Sequence, residues 1–201
     1  IWINDDIGEH LQDHLEIYVQ AGIKKPVSIY PSTRGLGKLR AGVEWYLLKS
    51  GAGATNHFHA GAFLRSGLDA GYPDLQFHFL PIAMNYDGSQ QVNHHGIQAH
   101  VGPMKPLSRG RVSIQSSDPF VSPQIQFNYL SAEEDWAVMR RGVRLAEALL
   151  GEQSFQSMGA WPLKRFGSDA ELDEWIRLHA ESAYHPCGTC RMGKEGEAPV
   201  L

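Results

Sequence analysis

His14-Leu15-Glu16-Ile17-Tyr18-Val19-Gln20 is the stretch on which the fold turns. Leu15, Ile17 and Val19 fall on one side of an extended chain; His14, Glu16, Tyr18 and Gln20 fall on the other. Successive side chains of a strand point to opposite faces, so this period of two marks a strand with one apolar and one polar face. The alternation returns at 75–81 (LQFHFLP), where Leu75, Phe77 and Phe79 oppose Gln76 and His78. It returns at 96–102 (GIQAHVG), with Ile97, Ala99 and Val101 opposite Gln98 and His100, and more briefly at 111–115 (RVSIQ) and 124–128 (QIQFN). An all-parallel sheet, covered on both faces, would read instead as continuous apolar runs. The pattern predicts an antiparallel sheet whose second face carries Gln, His, Glu and Asn. Two readings of that face stand open: a solvated surface, or the floor of a polar site.

Outward from these strands, residues 21–41 hold Gly22, Pro26, Pro31, Gly35 and Gly37 and read as a long connection. Residues 42–49 (GVEWYLLK) are a short apolar segment compatible with helix or strand, and 50–54 is a loop of small residues. Further on, Ser131 with Glu134 has the spacing of a capping box. Trp136, Met139, Val143, Ala146 and Leu150 follow at intervals of three and four, the apolar stripe of a helix that Gly151 would stop. Ser168 with Glu171 repeats the box before a second stripe of Leu172, Trp175, Ile176 and His179. The fold class predicted is α+β, a mainly antiparallel sheet with helices packed on one side.

Composition narrows the function. Lys plus Arg is 18 against 22 for Asp plus Glu, a net charge of −4 over 201 residues. This argues against a dominant nucleic-acid surface, which needs clustered cations. There is no run of about 18 apolar residues to span a membrane, and the first residues lack a signal-peptide pattern. Gly35-Leu-Gly37 and Gly51-Ala-Gly53 begin like dinucleotide fingerprints but lack the third glycine. His10 and His14 are four apart with no Glu between them and read as structural or surface residues, so no metal site is expected. Cys187 and Cys190 form a C-x-x-C without a second pair for zinc, and Pro186 and Gly188 put it in a loop rather than at a helix start. They read as free thiols. Ten histidines are many for this length, and each is a group able to move a proton near neutral pH.

One of them sits in a particular frame. Tyr184-His185-Pro186-Cys187-Gly188-Thr189-Cys190-Arg191-Met192-Gly193 sets His185 before a proline, which biases it toward an extended backbone, and just before a glycine that permits a sharp turn. An imidazole projected from such a turn suits a positioned proton acceptor. The H-P-x-G-T-x-x-M-G pattern strongly resembles the C-terminal signature of the glucose–methanol–choline flavoprotein oxidoreductases, and within that family the members that oxidise choline. Further matches lie at Ile7 to Glu16 (IGEHLQDHLE), Gly51 to Ser66, Tyr72 to Gly88, His100 to Met104 and Ser108-Arg109-Gly110, so the resemblance spans nearly the whole chain.

The resemblance implies residues 1–201 to be the substrate-binding portion of such an enzyme, with the start of the C-terminal family domain at about 105–201. It implies FAD as cofactor and a small-molecule alcohol, choline-like, as partner, oxidised to betaine aldehyde on the way to glycine betaine. His185 matches the histidine that removes the alcohol proton; Glu16 matches a carboxylate that meets the quaternary ammonium. His78 matches a histidine at the alcohol end, and Tyr184 an aromatic beside the base. A quaternary ammonium cannot donate a hydrogen bond, so a carboxylate or aromatic faces must hold it. Arg34-Gly35-Leu36 stands where some relatives carry an aromatic pair, leaving Trp45 or Tyr18 to substitute. The family's N-terminal Rossmann part and the segment bearing the second catalytic residue have no counterpart in these residues. The expectation is that this chain by itself neither retains FAD nor turns over. Implied location is cytoplasmic, with peripheral contact to the inner membrane and a respiratory electron acceptor as further expectations. Two rivals remain: a family member acting on another primary alcohol, and a non-catalytic binding domain keeping the fold.

Overall fold

A computed structural model describes residues 6–67, 71–85 and 92–193. Its centre is an antiparallel sheet. Strand β1 (Leu15–Gly22) pairs with β4 (Gly96–Pro103), β4 with β3 (Leu75–Leu80), and β3 with β2 (Ala60–Leu64), in the order β2-β3-β4-β1, to which β7 (Trp161–Pro162) adds beyond β1. Helix α1 (Gly35–Leu48) precedes β2. A separate hairpin joins β5 (Arg111–Ser113) to β6 (Gln124–Gln126). Then come α2 (Glu133–Leu150), the single turn α3 (Gln153–Gln156), β7 (Trp161–Pro162), α4 (Asp169–His179) and β8 (Glu181–Ser182). β7 and β8 are two-residue strands that both pair with β1. The α+β class with an antiparallel sheet is as the periodicity predicts.

Register places the alternating residues as the sequence pattern requires. Ile17 faces Val101, Phe77 faces Val101 from the other side, and Val19 faces Ala99. These side chains, with Leu15 and Leu75, form the core against Met139, Val143, Ala146 and Leu150 of α2 and Leu172 and Ile176 of α4. Gly142 lets α2 approach closely: a Cβ there would lie 2.8 Å from Val101 and 3.0 Å from a Leu75 methyl.

Several expectations are corrected. The long connection read at 21–41 contains a 3-10 turn at Tyr30–Thr33 and the start of α1, which absorbs the undecided segment 42–49 as helix. None of α1 is buried, so no apolar stripe marks it out, and its two internal glycines disguise it. Strand β2 was hidden in a run of small residues, where pairing with β3 and not composition makes the strand. The first capping box does not form: Ala132 is the N-cap of α2, and its N–H is bound instead by Ser108 Oγ at 3.1 Å. A tertiary contact there replaces the local one. The second box holds in part: Ser168 accepts from Glu171 N–H, while the Glu171 carboxylate reaches back to Gly167 N–H. Gly151 ends α2 but keeps right-handed geometry.

Phe77, wholly buried under α2, contrasts with Phe120, 94% exposed. Phe77→Ala is expected to cost about 3–5 kcal/mol of stability, and Phe120→Ala less than about 0.5 kcal/mol, as measured by urea unfolding. Equal losses would contradict this placement of the core.

Candidate active site

Along β1 and β4 the polar face of the sheet is buried rather than solvated. Glu16 is 9% exposed, Gln20 8%, Gln98 2% and His100 5%. Buried polar groups must find partners, because each one left unsatisfied costs about 1–3 kcal/mol. Here they satisfy one another. Gln20 Nε2 donates to Gln98 Oε1 (3.0 Å) and to the Met84 carbonyl (3.0 Å). Met84 N–H also donates to Gln98 Oε1 (2.9 Å). The other end of the Gln98 amide meets His100 Nε2 at 2.7 Å, and His100 Nδ1 meets Glu16 Oε1 at 3.2 Å. Tyr18 stacks on the His100 ring at 3.9 Å.

His185 arrives from the opposite direction. Its turn is tied to the residues before β1 by a reciprocal pair of backbone hydrogen bonds between Gln12 and Cys187, both 2.9 Å, and by Gly8 N–H to the Thr189 carbonyl. Gly188 is obligatory there: its φ is +104°, and a Cβ would lie 2.3 Å from the His10 carbonyl oxygen. The buried Asp13 carboxylate then accepts four hydrogen bonds, from His14 N–H (2.8 Å), His185 N–H (2.9 Å), Ser182 Oγ (2.5 Å) and Tyr129 Oη (2.5 Å). Burial, followed by the bond to Asp13, pushes the Tyr129 phenol above its ordinary range, so it stays a donor. The backbone of His185 is clamped while its ring remains exposed.

Partner chemistry assigns the protons. His14 Nε2 lies 2.9 Å from the Met104 carbonyl, which can only accept, so that nitrogen carries the hydrogen. A neutral His14 then presents the bare Nδ1 toward His185 Nδ1, a long contact of 3.4 Å. When both rings are neutral, His185 is the donor across it, and its Nε2 is then the nitrogen with the lone pair.

Glu16, His78, His14 and His185 line one hollow together with Gln76 and Gly102. It is tight, about 10 Å³, room for a hydroxyl-sized group. Tyr184 is placed elsewhere: it lines a neighbouring cavity of about 850 Å³ beside β1, with Tyr18, Gln20 and Trp175. Trp45 lies on α1 with the Lys49 ammonium 4.5 Å above its ring. Cys187 and Cys190 are free and exposed. Three residues were missed from sequence. His14 shares the polar face of β1 with Glu16, a two-residue spacing that could have flagged it. Phe58 stands edge-on to both His78 and His100, at 5.7 and 5.8 Å. It sits outside any periodic segment and carried no signal. Asp13 carried none either, since Tyr129, Ser182 and His185 are all distant from it in the chain.

Burial holds the His78 pKa below its ordinary value; His100 and His185 push it further down and Glu16 opposes them. The ring is therefore neutral at pH 7, able to share a hydrogen bond with a hydroxyl without repelling a cation.

The chain is similar to several known proteins. Residues 106–201 match the GMC oxidoreductase family model, and the chain belongs to that family. It is 49% identical over 93% of its length to the oxygen-dependent choline dehydrogenase of Brucella ovis, and 45% identical over 96% to that of Klebsiella pneumoniae. It spans 35–36% of the length of these relatives. Among solved structures it resembles pyridoxine 4-oxidase from Mesorbium loti (25% identity, TM-score 0.75, 97% of this chain and 35% of that one). It also shares the fold of a formate oxidase (20% identity, TM-score 0.82, 92% of this chain and 38% of that one).

The His78 shift carries a pH dependence. The unfolded chain takes up this proton near pH 6.5 while the folded chain resists it, so stability is complete above that value and falls as pH drops through it. Urea midpoints at pH 7.5 and 5.5 are expected to show this decline, and His78→Gln to shrink it. A variant declining as much as the wild type would contradict the assignment.

Proposed function

We propose that this chain forms the substrate-facing part of an FAD-dependent dehydrogenase that oxidises choline to betaine aldehyde. The observation that carries the reading is the convergence of Glu16, His78 and His185 on one hollow. The names of the relatives at 45–49% identity support the same substrate.

The residues on the open side suit a flavin. His185 projects from a clamped turn, next in sequence to the exposed Tyr184 (66%). Residues 184–193 would border the isoalloxazine, and FAD bound there supplies the acceptor for the substrate's hydride. The chain's own groups do the rest. His185 Nε2 takes the hydroxyl proton, because hydride leaves readily only from an alkoxide-like carbon, and a neutral imidazole is a suitable base near pH 7. The bond from His185 Nδ1–H to His14, and through it to the Met104 carbonyl, disperses the charge gained. His78 shares a hydrogen bond with the substrate oxygen. The hollow admits the hydroxyl end alone, so the trimethylammonium sits over its mouth. There the Glu16 carboxylate balances its charge and the ring of Phe58 flanks it. The reading puts the enzyme in the cytoplasm.

The test is made in the full-length, flavin-loaded enzyme. Glu16→Gln is expected to cost choline about 2–4 kcal/mol of binding, and the uncharged carbon isostere 3,3-dimethylbutan-1-ol far less. A similar loss for both would favour a neutral primary alcohol as the substrate. His185→Gln is expected to lower kcat by about 10²- to 10⁴-fold; full turnover in that variant would remove His185 as the base.

A further inference from the structure

The chain of amides and imidazole on the polar face has a fixed direction. The Met84 amide N–H can only donate, so the Gln98 atom 2.9 Å away is the oxygen, and the Gln98 amide nitrogen is the atom 2.7 Å from His100 Nε2. That nitrogen can only donate, so His100 Nε2 must accept. The ring's hydrogen is therefore on Nδ1, which faces Glu16 Oε1 at 3.2 Å. Gln20, donating to the Gln98 oxygen and to the Met84 carbonyl, closes the frame from β1. The groups facing His100 are Glu16 and Tyr18 from β1, His78 opposite it on β3, and the ring of Phe58. Turning the Gln98 amide over would set its nitrogen against both the Met84 N–H and the Gln20 amide, two donors against a donor among buried groups.

We propose that His100 is a positioning residue for the candidate substrate site: backbone-anchored Gln98 imposes the Nδ1–H tautomer on it, and that N–H orients the Glu16 carboxylate for a cationic headgroup. The backbone amide of Met84 thus decides, three groups away, what the carboxylate faces. Without the Nδ1–H the same carboxylate would have a lone pair beside it and would turn away. The part played in headgroup selection rests on the proposed function; the tautomer does not.

Two measurements on the full-length enzyme test the two halves. Long-range ¹H–¹⁵N correlation spectra at pH 8 are expected to show His100 as the Nδ1–H tautomer. In Gln98→Glu, oxygens still accept from Met84 N–H and Gln20 but the donor to His100 is gone, so its ring should carry a hydrogen on Nε2. A wild-type Nε2–H tautomer, or one unchanged in Gln98→Glu, would overturn the proposal. For selection, His100→Asn keeps an N–H where Nδ1–H was, whereas His100→Phe keeps the ring beside Tyr18 without it. His100→Phe is expected to raise the KM of choline at least ten-fold more than that of its uncharged isostere, with the loss in KM rather than kcat, and His100→Asn to restore most of the difference. Equal changes for the two substrates, or no rescue by Asn, would count against it. Should the wild-type enzyme fail to turn over choline, the functional reading fails separately, and the tautomer result alone decides the status of His100.

Discussion

A single buried carboxylate holds the two halves of the site together. Asp13 stands at the junction where the chain enters β1, and its two oxygens accept from the backbone of His14 and His185 and from the hydroxyls of Ser182 and Tyr129. Those groups come from the start, the middle and the end of the chain. Bonds to a charged acceptor are worth more than neutral ones, about 1.5–3 kcal/mol each, and four of them on one anion leave it little freedom. The consequence is chemical: His185 has a fixed backbone and an open ring, so its direction is set before any substrate arrives. Preorganisation of this kind is what a proton acceptor requires.

The sheet supplies the other half by an unusual use of its second face. An antiparallel sheet commonly leaves one face wet, but β1 and β4 are covered on both. The cost of burying Glu, Gln and His is met by linking them in one directed hydrogen-bonded chain that ends on Glu16. Because every link has a donor and an acceptor assigned by a backbone group at its far end, the chain has one low-energy arrangement.

Much of this was legible in the amino-acid order. Alternation at 14–20, 75–81 and 96–102 gave the three central strands and their two faces, because a strand's period of two follows from backbone geometry alone. The stripes at 136–150 and 172–176 gave α2 and α4 for the same kind of reason. The His185 turn was visible through Pro186 and Gly188, whose backbone restrictions are local. Helix α1 and strand β2 were not legible: the first has no buried face to set a period, and the second is a strand by virtue of its neighbour β3. The first capping box failed because Ser108, distant in sequence, took over the cap of α2.

What the sequence by itself determined, then, is the set of elements and the sides of each strand on which Glu16, His78 and His100 lie, since these follow from covalent geometry and hydrophobic period. Only the tertiary structure decided that the polar face is buried, that Asp13 and His14 belong to the site, and which nitrogens of His14, His100 and His185 carry hydrogen. Those properties depend on which donors and acceptors come within about 3 Å across gaps of up to 172 residues, and hydrogen-bond partners at that separation leave no period in the chain.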